Sequence, residues 1–367
     1  MRIGFALDSL GRGGIERQII ELSTGLARRG HEVHVVSYSG AGSFDHLLAG
    51  TGVSHDVLST RGKRDKVAQL RLWMEGTQPD IVHAAMKRAS ILSLLARPRG
   101  NASKVIATDF STASYAPYKP ALWVGLAAFA RAEAVVTETV MNQTHLVKLA
   151  PWLKKKTHVI RNGVDLERFA PVERDRPTGE PFRLVAVGRL HPVKNAARVT
   201  EAVGLAREKS GEDIRLDWYG RYEDESGAPM PEYARAREVI GRYGLAEVVR
   251  FQGEVERVED AYASAHAAIH ASVQEGIPNA IVEAMASGLP IIASRIADMP
   301  LLLAEGQNGV LCDALEPASI ADAICEMVAF PADERRAMGE RSRDLALKSF
   351  GRGRYIDDYL RLYESIL

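Results

Sequence analysis

A chain of 367 residues exceeds what one ordinary core holds and fits two domains of roughly 150 to 200 residues. Hydrophobic residues make up 46% and charged residues 26%, as in a globular protein, and the 47 basic and 47 acidic side chains cancel, which argues against nucleic acid as the main partner. The two cysteines, Cys312 and Cys325, are too few for a disulfide framework and lack zinc-site spacing, so they read as small buried hydrophobes in a reducing cytoplasm.

The chain opens on a strand-like run, "RIGFAL" (2–7), with Asp8 close behind, which leaves no room for a signal-peptide hydrophobic region. Further strand-like runs follow at "EVHVVSY" (32–38), "DIVHA" (80–84), "KVIAT" (104–108), "AVVTE" (134–138) and "THVI" (157–160). Between the first two, Ile19, Ile20, Leu22, Leu26 and Ala27 approximate helical spacing, and Arg28-Arg29-Gly30 reads as a basic, glycine-terminated helix end. That is one parallel βαβ unit. The longest apolar run, "ALWVGLAAFA" (121–130), stops well short of the ~20 residues that span a bilayer. A polar, proline-punctuated stretch, "LERFAPVERDRPTGEP" (166–181), then reads as a linker. Alternation resumes at "FRLVAVG" (182–188), "RLDWYG" (215–220), "VVRFQG" (248–253), "AAIHAS" (267–272) and "PIIAS" (290–294). "YIDDYLRLYESIL" (355–367) carries an aromatic and aliphatic face at helical spacing, suited to docking on one of the halves.

The expected fold class is therefore α/β, two Rossmann-like halves. Ligands of such sheets sit beyond the carboxyl ends of the strands, so two halves facing each other would form a cleft. The loop after the first strand, "LDSLGRGGIERQII", places Gly11, Gly13 and Gly14 before a helix, where backbone can approach an anion, although the spacing is not that of a dinucleotide fingerprint. In the second half, "VAVGRLHPVKN" runs off a strand at Gly188 and offers Arg189 and Lys194, a directed fork and a point charge that suit a pyrophosphate. "QEGIPNAIVEAMASGLP" (274–290) sets Glu275 in the loop after a strand and Glu283 about one turn inside a helix started by Pro278-Asn279. Ionised carboxylates accept hydrogen bonds from neighbouring hydroxyls, as on a sugar or a ribose.

"EGIPNAIVEAMASGLPIIAS" resembles the E-x7-E signature of the retaining glycosyltransferase family 4, the group 1 glycosyltransferases with the two-domain GT-B fold. "GGIE" (13–16), "VIRNGVDLERF" (159–169), "VGRLHPVKN" (187–195), "FQGEVERV" (251–258) and "GQNGVLC" (306–312) support it in family order along nearly the whole chain. The resemblance implies an N-terminal acceptor-side domain over 1–165, a linker over 166–181, a nucleotide-sugar domain over 182–348 and a helix over 349–367 crossing back to the first domain. It makes Glu275 a ligand of the donor sugar's hydroxyls and Glu283 a ligand of the nucleotide ribose. Arg189 and Lys194 would hold the diphosphate, with help from Gly13, Gly14, Gly188 and the amides near Pro278, Asn279 and Ala280. No metal is implied, because the two cations and helix dipoles take its place. No cofactor is implied beyond the donor as substrate, with a uridine diphosphate sugar favoured. Where many members carry Thr-His after the fourth-strand equivalent, this chain has Thr108-Asp109. Asp109 becomes the candidate for a sugar-hydroxyl contact or for stabilising charge at the anomeric carbon.

The reading that follows is a cytoplasmic retaining glycosyltransferase. It would pass a sugar to a hydroxyl of a glycan or glycolipid acceptor, in bacterial surface polysaccharide or lipid-linked glycan assembly. A nucleotide-sugar epimerase on the same architecture and a non-catalytic nucleotide-sugar-binding protein are the alternatives. The basic, amphipathic "RGKRDKVAQLRLW" (61–73) suits either a solvated face or peripheral contact with anionic lipid at the membrane's inner face, and the aromatics of 115–123 suit an acceptor or membrane surface. Of the histidines, His83 at a strand end is a candidate for an acceptor cleft. His191 reads as exposed, and His266 and His270, on a strand, as core or cleft-edge histidines rather than a metal pair.

Overall fold

The structure is a computed structural model that describes residues 1–11, 13–98, 100, 103–109, 120–172, 180–224 and 226–367. It divides into two compact units, Met1–Gly163 with Arg352–Leu367, and Val164–Gly351.

The first unit is a parallel sheet of β1 (Arg2–Leu7), β2 (Glu32–Ser37), β3 (Val53–Val57), β4 (Ile81–Ala84), β5 (Lys104–Thr108), β6 (Ala134–Thr137) and β7 (Thr157–Val159), in the order β3-β2-β1-β4-β5-β6-β7. β1, β4 and β6 are almost wholly buried, as expected where helices cover both faces of a parallel sheet. β3 is absent from the sequence-based reading. Its run "VSHDV" is polar at the middle and half-exposed at the sheet edge, so it lacks the apolar density that marks the interior strands.

The Arg352–Ile366 helix belongs to this first unit. Its buried face, Tyr355, Ile356, Tyr359, Leu362 and Tyr363, packs on the Gly14–Arg28 helix and on β4. A Cβ at Gly25 would stand 2.3 Å from Ile356 Cδ1, so a larger residue there would force the Ile356 side chain to shift. Arg29 pairs with Asp357 at 2.5 Å and Arg352 with Glu21 at 2.6 Å along the same seam. His83, a candidate for an acceptor cleft, instead lies wholly inside this seam. Its ring sits 4.9 Å from that of Tyr359, and Nδ1 is 2.7 Å from the Tyr363 hydroxyl. The apolar run of β4 simply continues through it.

Burial drives the pKa of His83 down from 6.5 to about 3. Above pH 6.5 the ring is neutral in both folded and unfolded chains. Below that, the unfolded chain takes a proton that the folded unit refuses, so stability falls as pH drops from the unfolded pKa toward the folded one. At pH 5 the loss reaches about 2 kcal/mol. Urea midpoints measured between pH 7.5 and 5 are expected to fall less steeply in His83→Gln than in the parent, and parallel profiles would refute this account.

The second unit is a parallel sheet of β8 (Phe182–Val187), β9 (Ile214–Tyr219), β10 (Val249–Gly253), β11 (Ala267–His270), β12 (Ile291–Ser294) and β13 (Gly309–Cys312), in the order β10-β9-β8-β11-β12-β13. β13 also escaped the sequence-based reading, being four residues long and adjacent to a Gly-Gln-Asn turn. In both sheets the chain reverses its direction of winding once, at β1/β4 and at β8/β11. Such a switch point opens a crevice at the strands' carboxyl ends.

The described part of 166–181 packs into the second unit instead of standing free as a linker. Phe169 is buried beside Tyr262, Arg168 pairs with Glu259 at 2.9 Å, and Arg343 donates to the carbonyls of Leu166 and Ala286. The charged stretch there forms a surface brace anchored by Phe169, while Ala170 and Val172 stay exposed.

Candidate active site

The switch point of the second sheet is where the chemistry-bearing residues gather. Gly188 follows β8, and the ends of three neighbouring strands are laced at this level. The Gly188 amide donates to Tyr219 O, the Gly220 amide to Gly253 O, and the Trp218 indole to Gly188 O, each at 2.8 Å. A Cβ at Gly220, which holds φ +139°, would lie 2.3 Å from Gly188 O, so only glycine lets the β8 and β9 turns approach this closely.

Beyond Gly188 the chain makes a single 3-10 turn, Pro192–Lys194. It is capped by His191, whose Nδ1 accepts from the Val193 amide at 3.3 Å while the ring stays exposed. Asn195 then takes a left-handed conformation (φ 65°) and is buried. Its side-chain amide donates to Ala271 O at 3.0 Å and to Ala314 O at 2.6 Å. Asparagine tolerates this backbone region better than most residues, and here it bolts the loop after β8 to the loops after β11 and β13. The Val273 amide donates to Val193 O at 2.9 Å and adds a second bolt.

These bolts set Lys194 against the loop after β11. Its Nζ lies 2.7 Å from Glu275 Oε1, with about a fifth of each side chain exposed. The ammonium carries three donors, so pairing with Glu275 leaves others for a ligand. Arg189 is exposed and forms no ion pair among the described residues. Beneath the pair, His270 is buried with Nε2 2.9 Å from Ser272 Oγ, and burial together with the Lys194 charge holds it well below the usual imidazole range. A neutral His270 adds no positive charge to the floor. His266 also serves the sheet, accepting from the Arg183 amide at 2.9 Å and stacking on Phe182.

The Asn279–Ala286 helix starts after Pro278, so the N–H groups of its first turn, including those of Asn279 and Ala280, lie at the same loop. Glu283, half-buried within it, is held by Tyr262, whose hydroxyl lies 3.1 Å from Glu283 Oε2 and 3.0 Å from Ala280 O. The burial of Tyr262 and the Glu283 charge raise its pKa well above the usual phenol value, so it remains a donor. The sequence reading missed both Tyr262 and Asn195. A lone tyrosine on the short Val258–Ser264 helix and an asparagine in a polar loop carry no pattern that reveals their partners.

The remaining candidates belong to the first unit. The Gly14–Arg28 helix starts at Gly13, and a Cβ on Gly13 would meet Glu16 Oε2 at 2.1 Å. The Glu16 carboxylate therefore lies at this helix N-terminus, where an incoming anion would have to displace it. Asp109 follows β5 and is fully buried, with its amide on Val136 O and its carboxylate 3.6 Å from Lys87 Nζ. A direct sugar contact requires that pair to open. Cys312 is buried and Cys325 half-buried, both as free thiols. Residues 115–119 of the aromatic run lie outside the described residues. No helix among the described residues is long and apolar enough to cross a membrane.

Two family models match the chain in succession, one described as glycosyltransferase family 4 over residues 12–168 and one as glycosyl transferases group 1 over residues 181–329. The chain belongs to the family 4, group 1 glycosyltransferases. It is 28% identical to a glycogen synthase of Mycobacterium tuberculosis over 378 aligned positions, covering 90% of this chain and 86% of that protein. To D-inositol 3-phosphate glycosyltransferase 2 of Catenulispora acidiphila it is 26% identical over 211, covering 54% of this chain and 49% of that one, so the match spans about half that relative's length. Among solved structures, Anabaena Alr3699/HepE in complex with UDP superposes with a TM-score of 0.84 at 20% identity, covering 100% of both chains. The two parallel-sheet units thus have the GT-B fold. In this glycosyltransferase, Gly188, Arg189, Lys194, Glu275, Pro278, Asn279, Ala280 and Glu283 all lie around one switch point, whereas Gly13, Gly14 and Asp109 lie in the other unit.

Proposed function

We propose that the protein is a retaining, metal-independent glycosyltransferase that moves a sugar from a uridine diphosphate donor to a hydroxyl of a glycan or glycolipid. The observation that carries this reading is the Lys194–Glu275 pair at the β8/β11 switch point, with Glu283 tethered by Tyr262 on the next helix. Arg189 and Lys194 meet the diphosphate, Glu275 the sugar hydroxyls and Glu283 the ribose hydroxyls. In the reaction the bond from the anomeric carbon to the diphosphate oxygen breaks as the acceptor hydroxyl approaches on the same face. The departing phosphate oxygen takes the acceptor's proton. Charge grows on that oxygen, and cations already in place stabilise it without reorganising. Arg189 and Lys194 thereby supply the positive charge that a divalent ion provides elsewhere, and the reaction needs no cofactor. Gly13, Gly14 and Asp109 serve the acceptor-side unit, with Asp109 released from Lys87 when sugar binds. A cytoplasmic setting, peripheral to the membrane and devoted to bacterial surface polysaccharide or lipid-linked glycan assembly, fits a glycolipid acceptor.

Thermal melting with uridine, guanosine, adenosine and cytidine diphosphates tests the donor side. At a ligand concentration about a hundredfold above Kd, linkage contributes about 2.7 kcal/mol, which for a unit of this size raises Tm by roughly 5–10 °C. The expected result is such a shift with UDP, lost in Arg189→Ala. Absence of a shift with every nucleotide in folded protein would refute the reading. Product anomeric configuration by NMR decides between retention and inversion.

A further inference from the structure

The described residues of the first unit hold a groove of about 720 Å³ between its Lys63–Thr77 and Met86–Ala96 helices. That volume falls within the roughly 300–1,000 Å³ of small-molecule sites. Its apolar wall is Val67 from the first helix and Ile91, Leu92 and Leu95 from the second, with Leu95 half exposed. Lys63 and Arg64 from the first helix and Lys87 and Arg88 from the second complete its lining.

All these cations sit in the first turn of their helices, where the backbone dipole already concentrates positive charge and a basic residue is disfavoured. Two of the four are compensated. Lys87 lies 3.6 Å from Asp109, and Arg88 lies 3.6 Å from Asp8, which Ser39 steadies. Lys63 and Arg64 form no ion pair among the described residues, and both are exposed. Lys66, grouped by sequence with the solvated basic face, is instead buried, donating to Ser39 Oγ with its ammonium 5.2 Å from the Tyr38 ring centre. It ties the helix down, and with the Asp65 carboxylate turned to the Arg61 amide, Lys63 and Arg64 are the exposed cations that line the groove. The pocket's sides are hydrocarbon, and Lys63 and Arg64 offer exposed positive charge beside them. Val67, Ile91 and Leu92 line a concavity instead of projecting outward as on a flat membrane-facing surface.

We infer that this groove binds a single-chain lipid phosphate as a monomer, its phosphate on Lys63 and Arg64 and its chain along Val67, Ile91, Leu92 and Leu95. This names the lipid-phosphate end of a glycolipid acceptor whose glycan part carries the accepting hydroxyl, and it rests on the reading above for its catalytic meaning, though not for the binding itself.

Dodecyl phosphate, kept below its micelle concentration and titrated calorimetrically into the full chain, is the probe. We expect one site per chain, with affinity at least about tenfold above that of inorganic phosphate and of dodecyl maltoside, because charge and chain must act together. Lys63→Ala/Arg64→Ala, at exposed positions, is expected to weaken it by about tenfold or more, and Leu95→Gln to weaken it with the phosphate end intact. Equal affinity for dodecyl phosphate and inorganic phosphate, or unchanged binding in both variants, would overturn the inference. Binding confined to anionic phosphatidylglycerol vesicles would also overturn it, in favour of a membrane-surface role. The same samples are melted with UDP. A UDP shift without dodecyl phosphate binding removes this inference alone, and dodecyl phosphate binding without any nucleotide shift removes the donor reading alone.

Discussion

Replacing Lys194 by alanine is expected to lower the turnover number by about 10²–10³-fold, the loss seen when one preorganised donor to a developing oxyanion is removed. Stability should barely move. The Lys194–Glu275 pair is partly open to solvent, and such pairs contribute at most about 1 kcal/mol once water screens them, a change of roughly 2–4 °C in Tm for a unit of this size. The loop that carries Lys194 is held instead by Asn195 and by the Val273 amide, neither of which depends on the ammonium. Glu275→Gln keeps the shape of its partner and removes the charge, so turnover falls through weaker acceptance of the sugar hydroxyls. Because the two side chains touch, the double variant is expected to lose less than the product of the single losses. Initial rates of nucleoside diphosphate release across the four proteins check this. A Lys194→Ala enzyme within about threefold of the parent would remove Lys194 from the leaving-group side, because a donor to that oxygen contributes far more.

What the sequence made legible, and what it hid, divides along the range of the interactions concerned. Periodicity is local, so the alternation of strands and helices could be read, and with it the two doubly wound sheets. The exceptions, Val53–Val57 and Gly309–Cys312, are short, and the first lies at a half-exposed edge where burial no longer dictates an apolar run. Gly188, Arg189, Lys194 and Glu275 could be singled out because each stands on a loop directly after a strand, and Glu283 because it lies one turn inside the helix that follows such a loop; parallel sheets collect these positions at one edge. Their partners could not. The contact of Lys194 with Glu275, the bolt from Asn195 to Ala271 and Ala314, and the burial of Lys66 and His83 arise where segments distant in the chain meet. Charge and spacing describe Lys66 as one more cation on a basic face, and only the position of Tyr38 and Ser39 beneath it turns it inward.

Glu283 tests the donor reading at its other end. Two charge-assisted hydrogen bonds to a ribose diol, each worth about 1.5–3 kcal/mol before water replaces part of them, set the scale. We expect Glu283→Ala to weaken UDP binding by about 10²-fold, or close to 3 kcal/mol, while lowering turnover at saturating donor much less than the Glu275 substitution. Tyr262→Phe leaves the carboxylate in place but removes the hydroxyl 3.1 Å from Oε2, so the expected loss is at the low end of that for one hydrogen bond to a charged group, about tenfold. The phenol is buried, and the phenylalanine ring fills the same volume, so the fold should tolerate the change. Calorimetry with UDP and with 2′-deoxy-UDP separates a ribose contact from a general loss of affinity. The parent should prefer the ribose form, and Glu283→Ala should bind both equally, because the group that reads the hydroxyl is gone. If Glu283→Ala kept the parent's preference, the ribose would be read elsewhere and the Tyr262–Glu283 contact would be a brace between two helices of the second unit.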